Sequence, residues 1–377
     1  MTRRHINVYI ISVVGLACGT GLCGAQQENP TLDQILRAWK IRQDKATTAT
    51  FELTSENTIH KGSVTLMANA SGLGPKTPAG AALDPPEDYT VKGTIRISLS
   101  GSKMRFSDER PVWDSANKRL YDQHHIDTFD GQLSKVFRNP MSGKDDYPFG
   151  RVAKAKKSDS ANQFPLAPLI WTIRGAHPQF YDALGQLEVT GRTTTVAGRL
   201  CLEVVTRSTS SSSQREVFYL DQERDFVVVR NVTIVADLPT WQVDATYVPD
   251  PKLGWVPQSW EYIIRVAKQV QESGRRTITK YEIGPALEGD EFDIRFPPKT
   301  LVMDTSSGQN VQYVIKENEE KGRIILSEKG PTYEELSKSD RGVSRYVVIG
   351  GLAVLFSLLI GGWIRFRRRR KQRVAGA

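Results

Sequence analysis

The chain has 377 residues, 25% charged and 39% hydrophobic. That is too polar for a protein of many membrane spans and too apolar for a wholly disordered one. The formal net charge is +9, and Arg3 and Arg4 at one end with Arg365, Arg367, Arg368, Arg369, Arg370, Lys371 and Arg373 at the other account for all of it. Residues 26–364 carry no net charge, so nucleic acid is not an expected partner of the body.

The first 25 residues read as a signal peptide: Arg3 and Arg4, an apolar run over 6–17, then small residues ending Cys23-Gly24-Ala25. Cleavage is expected after Ala25. Lipidation at Cys18 would need Leu three residues earlier, where the chain has Gly15. Gly19-Thr20-Gly21-Leu22-Cys23-Gly24 matches a dinucleotide-binding pattern, but no strand precedes it and no helix follows, so no cofactor is assigned. Cys201 is the one cysteine beyond the signal, in a strand-like run, and reads as a buried, inert thiol.

The body, 26–329, opens with a helix. Thr31 and Gln34 fit a capping box, with Pro30 in the first turn. Leu32, Ile35, Leu36 and Trp39 recur at helical spacing and form one apolar face. Strands follow. Ile95, Ile97 and Leu99 alternate with polar residues, as do Leu200, Leu202 and Val204. Phe226, Val228, Val232 and Ile234 keep one parity, broken by Arg230, and Trp260, Tyr262, Ile264 and Val266 keep another. This period of two indicates strands with one buried face. Turn signals at Gly191, Gly198, Asp221 to Asp225, Pro249-Asp250-Pro251, Gly274 and Gly289-Asp290 space them for an antiparallel meander. Residues 70–88 and 139–163 read as loops, and Ser208 to Ser213 as a hairpin tip. A second helix is expected from Leu166 to Arg174, started near Pro165 or Pro168, with a short turn from Pro178 to Tyr181. It carries Trp171, while Trp241 and Trp260 fall on strands.

Residues 330–345 form a linker, and 346–364 are 19 residues without a charge. As a helix they span about 28 Å, enough for a bilayer core. Tyr346 and Trp363 mark its ends, and the basic tail at 365–377 follows. The positive-inside rule puts that tail in the cytoplasm and the body outside, as a single-pass protein. The same ending resembles a cleaved sorting signal, but residues 330–336 contain neither of its usual recognition motifs.

No zincin, CxxC, nucleophile-elbow or Walker A pattern occurs in the mature chain, so no catalytic residue or metal ligand is assigned and the chain is read as non-enzymatic. His124 and His125, beside Asp122, Asp127 and Asp130, form the densest metal-like cluster, but adjacent histidines on a strand face opposite ways.

The order of elements resembles the LolA-like group of bacterial lipoprotein-carrier and lipid-binding proteins, which includes LppX-type and RseB-type domains. The resemblance is carried by the helix over 31–39 running into Thr50-Phe51-Glu52-Leu53-Thr54, by Phe129-Asp130-Gly131-Gln132-Leu133, by Glu216-Val217-Phe218-Tyr219-Leu220-Asp221, and by Tyr281-Glu282-Ile283 followed by Asp290 to Phe296-Pro297. Pro298-Lys299-Thr300 stands where that group has Gly-Thr. The resemblance implies a mainly β, α+β fold: a curved antiparallel sheet, an incomplete barrel with helices across its concave face. It further implies an apolar ligand, a lipid or lipoprotein acyl chain, in a cavity lined by Leu32, Ile35, Leu36, Trp39 and Trp171. The alternative is an envelope protein-interaction or stress-sensing module on the same fold with a filled core. A hydrolase would need an exposed cluster of perturbed titratable groups.

Overall fold

The computed structural model describes residues 30–63, 85, 87–114, 117–140, 147–155, 166–177, 186–206, 214–266, 268–315 and, for the backbone, 323–326. The signal peptide, most of the 70–88 loop, the Ser208 to Ser213 run, the Pro178 to Tyr181 turn, the linker, the 346–364 span and the basic tail lie outside the described residues. Among the described residues no helix is long and apolar enough to cross a membrane.

The chain is mainly β, with two helices among the described residues. Helix α1 is Leu32–Lys45, and α2 is Ala167–Arg174. The first six strands are β1 Thr48–Ile59, β2 Tyr89–Ser100, β3 Lys103–Asp114, β4 Arg119–Phe129, β5 Leu133–Asn139 and β6 Phe149–Lys154. After α2 come β7 Leu187–Val196, β8 Arg199–Thr206, β9 Gln214–Asp221, β10 Val227–Val235, β11 Leu238–Asp250, β12 Gly254–Val266 and β13 Gln269–Ile283. The last three are β14 Leu301–Asp304, β15 Val311–Val314 and β16 Arg323–Leu326.

All sixteen strands form one sheet in the order β16-β15-β14-β6-β5-β4-β3-β2-β1-β13-β12-β11-β10-β9-β8-β7. Two meanders, β1–β6 and β7–β13, are joined where β1 pairs antiparallel with β13. The parallel exception is β14 on β6. The end strands β16 and β7 do not pair with each other, so the sheet is open rather than a closed barrel.

Its curvature follows from the core. One apolar cluster takes Met104 and Phe106 from β3, Phe51 and Leu53 from β1, Trp260 and Tyr262 from β12, and Leu187 from β7. Those strands span ten positions in the sheet. At about 4.8 Å per strand a flat sheet would be about 43 Å wide there. Helices of 14 and 8 residues are about 21 and 12 Å long. Ile35 and Trp39 of α1 and Leu169, Ile170, Trp171 and Ile173 of α2 belong to the same cluster, so the sheet must bend around them.

Both helices form for local reasons. The Thr31 side chain accepts from Gln34 N at 3.3 Å while the Gln34 side chain accepts from Thr31 N at 2.8 Å, the capping box expected. Pro30 precedes the cap rather than lying in the first turn. Pro168 sits in the first turn of α2, which is buried nearly all round, as an almost wholly apolar helix should be.

Several further sequence expectations change. Residues 149–154, read as loop, are β6: Val152 is buried, and the strand is held between β5 and β14. Gly191 is not a turn but an irregularity within β7, at φ +73°, beside a register shift. Gly274 is not a turn either; it lies inside β13, paired with Asn57 and Tyr262. In β10 a register shift between Val228 and Arg230 reverses the parity. Asn231 and Thr233 then face the core side, buried, while Val232 and Ile234 do not.

Candidate functional site

The five residues expected to line an apolar cavity lie together. Ile35 is fully buried, Trp39 nearly so, and Leu32 and Leu36 are half-buried against the same core cluster. Trp171 packs edge-on against Phe218 at 5.3 Å and against Trp241 at 6.1 Å between ring centres. The Trp39 indole donates to the Phe226 carbonyl at 2.8 Å, which fixes its ring where α1 crosses the start of β10. Burial of such rings contributes about 2–3 kcal/mol each.

Two arginines tie the helices down. Arg42 of α1 is buried and donates to the carbonyls of Thr172 at 3.3 Å and Asp225 at 2.6 Å. Burial lowers its guanidinium to about 10, with Tyr247 and Asp225 pulling the other way. Arg174 of α2 does the same for the turns of the other half. Its Nε donates to Gly101 O at 3.1 Å, and Nη1 and Nη2 donate to Ala46 O at 2.6 Å and Thr47 O at 3.0 Å.

A cleft of about 690 Å³ opens on the opposite, outer face of the sheet. Its floor comes from alternate residues of adjacent strands: Lys280 of β13 faces Glu52 of β1, which faces Arg96 of β2, which faces Ser107 of β3. Its wall is the segment leading from β13 to β14, with Asp290, Glu291, Asp293 and Arg295. That segment is pinned at both levels. Phe292 is buried, and Ile294 packs with Ile126, Phe137 and Phe296. Arg105 Nη1 donates to Glu291 O at 3.0 Å, Ser98 donates to Glu291 Oε1 at 2.7 Å, and Lys135 pairs with Asp293. The Phe-x-Ile-x-Phe run starts at the end of a 3-10 turn, Gly289–Phe292, and continues as a strap over the outer face that pairs in no strand.

His124 and His125 behave as a strand requires. His124 lies on the outer face, 3.2 Å from Ser107 Oγ and 3.6 Å from Glu109. His125 faces the other way, edge-on to Phe106 at 5.7 Å. Burial, with Arg138, Arg110 and His124 nearby, lowers the His125 imidazole to about 4. Among the described residues no three acidic, histidine or cysteine side chains are grouped to hold a metal. Cys201 is free and buried, and burial raises its thiol, which leaves it protonated and unreactive.

Two features escaped the sequence reading: the charged outer cleft, and a buried polar cluster of Asn57, Tyr262 and Arg276 on the inner face. The first had a signal, since Glu52, Arg96 and Lys280 are charges at alternating strand positions. The second depends on which strands are neighbours, which no local pattern encodes.

No protein-family model and no curated protein sequence matches the chain. Solved structures do. A DUF1329 family protein from Desulfovibrio piger is 10% identical, with a TM-score of 0.42 over 70% of this chain and 95% of its own. A LolA superfamily protein from Nitrosomonas europaea is 10% identical, with a TM-score of 0.39 over 71% of this chain and 99% of its own. Lipoprotein LppX from Mycobacterium tuberculosis is 9% identical, with a TM-score of 0.23 over 68% of this chain and 98% of its own. These similarities are distant, and one of the structures is of a LolA superfamily protein, the group that the sequence motifs resemble.

Proposed function

We propose that the chain is a non-enzymatic, membrane-anchored module of a bacterial cell envelope that docks a partner polypeptide in its outer-face cleft. The observation that carries this reading is the contrast between the two faces. The apolar faces of α1 and α2 are used in a packed core, while the cleft of about 690 Å³ lies on the other side and is charged. Lys280, Glu52 and Arg96 alternate in sign across three adjacent strands, and none of them forms an ion pair among the described residues. A bound segment with the complementary order of charges would neutralise them and fix its own register.

In this reading the signal peptide is removed after Ala25, residues 346–364 anchor the protein, and the tail at 365–377 is cytoplasmic. The support is the charge asymmetry of the ends. The body then stands in the periplasm on the 330–345 linker.

The acyl-ligand reading keeps one observation of its own: Leu32 and Leu36 remain half-buried at the rim of the core. One experiment separates the two. A photo-cross-linking residue is placed at Glu52, with Ile41 on the exposed side of α1 as control. A polypeptide adduct at position 52 alone, lost on Arg96→Glu with Lys280→Glu, supports docking. No adduct, with a lipid extracted from the purified protein, favours the acyl ligand.

A further inference from the structure

The outer cleft has a direction, and the strap sets it. Ser98 and Arg105 hold Glu291 over β2 and β3, and Lys135 holds Asp293 over β5. Phe296 lies against Gly150 of β6, where a Cβ would meet its ring at 2.8 Å. The strap therefore crosses the strands instead of following them. Ser98 and Arg105 are partners in register, and two residues along each strand lie the partners Arg96 and Ser107. That next row, Lys280–Glu52–Arg96–Ser107–Ile126, is the floor of the cleft and crosses β13, β1, β2, β3 and β4 beside the strap. On its far side Thr277, Thr54 and Thr94 form an uncharged row of short side chains, under a hollow of about 520 Å³.

A second charged row, beyond the threonines, has the same order and a different state. Arg275, Glu56 and Lys92 stand on β13, β1 and β2 as Lys280, Glu52 and Arg96 do. There Lys92 pairs with Glu56 at 3.5 Å and Arg275 with Glu261 at 3.9 Å. Beside the strap the like-ordered charges are direct neighbours in register, exposed, and paired with nothing among the described residues.

Spacing then selects the backbone of an occupant. Lys280 and Arg96 are two strand intervals apart, about 9.6 Å. A helix laid along the row presents residues i, i+4 and i+7 on one face over about 10.5 Å. An extended chain presents i, i+2 and i+4 over about 13 Å and is out of step by the third side chain. The order positive, negative, positive calls for acid, base and acid in return. A second copy does not supply it from α1, whose exposed charges run Asp33, Arg37, Lys40 and Asp44, with Lys40 already paired to Asp44 at 2.9 Å.

We infer that the docked segment is an α-helix of a different polypeptide, lying along the strap and across the strands. It carries acid, base and acid at i, i+3 or i+4, and i+7, opposite Lys280, Glu52 and Arg96. The inference rests on the docking reading and adds the partner's backbone form and charge order to it.

The test places a photo-cross-linking residue singly at Lys280, Glu52 and Arg96 of the full-length protein, in the cells that produce it. Mass spectrometry of the digested adducts then maps the partner residue attached at each position. Attachment points that advance by three or four residues from one position to the next support the helix. Steps of two residues, or points scattered over unrelated segments, overturn it and leave docking standing. No adduct at any of the three positions removes the docking reading and this inference with it. Charge order is read separately in the captured partner. Exchanging its two acids for lysine should weaken co-purification about tenfold, and Lys280→Glu with Arg96→Glu should restore it. Both changes are at exposed side chains, so the fold is kept. Failure of the double reversal to restore binding overturns the assigned pairing.

Discussion

Arg174, the last residue of α2, donates from Nη1 to the carbonyl of Ala46 at 2.6 Å, and Ala46 is the C-cap of α1. The same guanidinium reaches Thr47 O and Gly101 O, so one side chain joins both helices to the turn between β2 and β3. Burial lowers Arg174 to about 10, which still leaves it charged at neutral pH. A buried cation held by carbonyl oxygens alone is a local cost, offset by the ends it ties together.

Arg174→Met should therefore destabilise the domain by about 3 kcal/mol, because it leaves several buried carbonyls unmet. Arg174→Lys should recover less than half of that, since one ammonium cannot reach acceptors spread over the guanidinium's fork. Urea unfolding checks both; a loss below about 1 kcal/mol for Arg174→Met would contradict the assigned role.

His125 sets a pH dependence. Its folded value of about 4 lies below the ordinary 6.5, chiefly through burial. Between those values the unfolded chain binds a proton that the folded chain does not. Stability is thus full above pH 6.5, falls as pH drops toward 4, and loses nothing further from this group below that. With discount for its partial exposure, the contribution is about 2 kcal/mol. His125→Gln should flatten that part of the stability profile relative to the native protein. Parallel profiles for the two proteins between pH 6.5 and 4 would refute the assignment.

Much of the fold was legible because local chemistry and final structure agree. Thr31 and Gln34 announce α1 by the capping box they then form. Ile95, Ile97 and Leu99 point to one face and are all buried. The failures have a common cause. Arg230 looks like an interruption in an apolar parity, but it marks a bulge, after which Asn231 and Thr233 face inward. Leu200 shares the parity of Leu202 and Val204, yet it is 62% exposed because it sits one residue into β8, at the hairpin end. A bulge or a strand end overrides period two. The candidate site and the buried polar cluster were less legible still. Asn57, Tyr262 and Arg276 are brought together by pairing β1 with β13, across more than two hundred residues of chain.

The strap over the outer face yields a further test. Phe292 is buried there, while Ile294 and Phe296 pack with Phe137 in a small cluster separate from the main core. Phe292→Ala should cost about 3 kcal/mol, the lower end for a buried ring, because Phe292 lies outside the main core cluster. Hydrogen exchange should quicken in 289–297 and in β5, and stay unchanged in α1 and α2. Equal quickening in the helices would show that the strap and the helix-covered core unfold as one unit.

Leu36 and Trp171 separate core from surface on the inner face. Trp171 is buried in α2 between Phe218 and Trp241. A carboxylate there has no partner, so Trp171→Glu should abolish cooperative unfolding and near-UV circular dichroism. Leu36 is half-buried at the rim, where a Glu side chain can reach water. Leu36→Glu should therefore fold, at a cost of about 1–2 kcal/mol from lost apolar contact. An acyl-chain fluorescent probe titrated into the native protein and Leu36→Glu then reads function apart from fold. The docking reading expects no saturable probe binding by either. Saturable binding by the native protein that Leu36→Glu weakens while its circular dichroism is unchanged would place a lipid under α1 and shift the proposed function to an acyl-chain carrier.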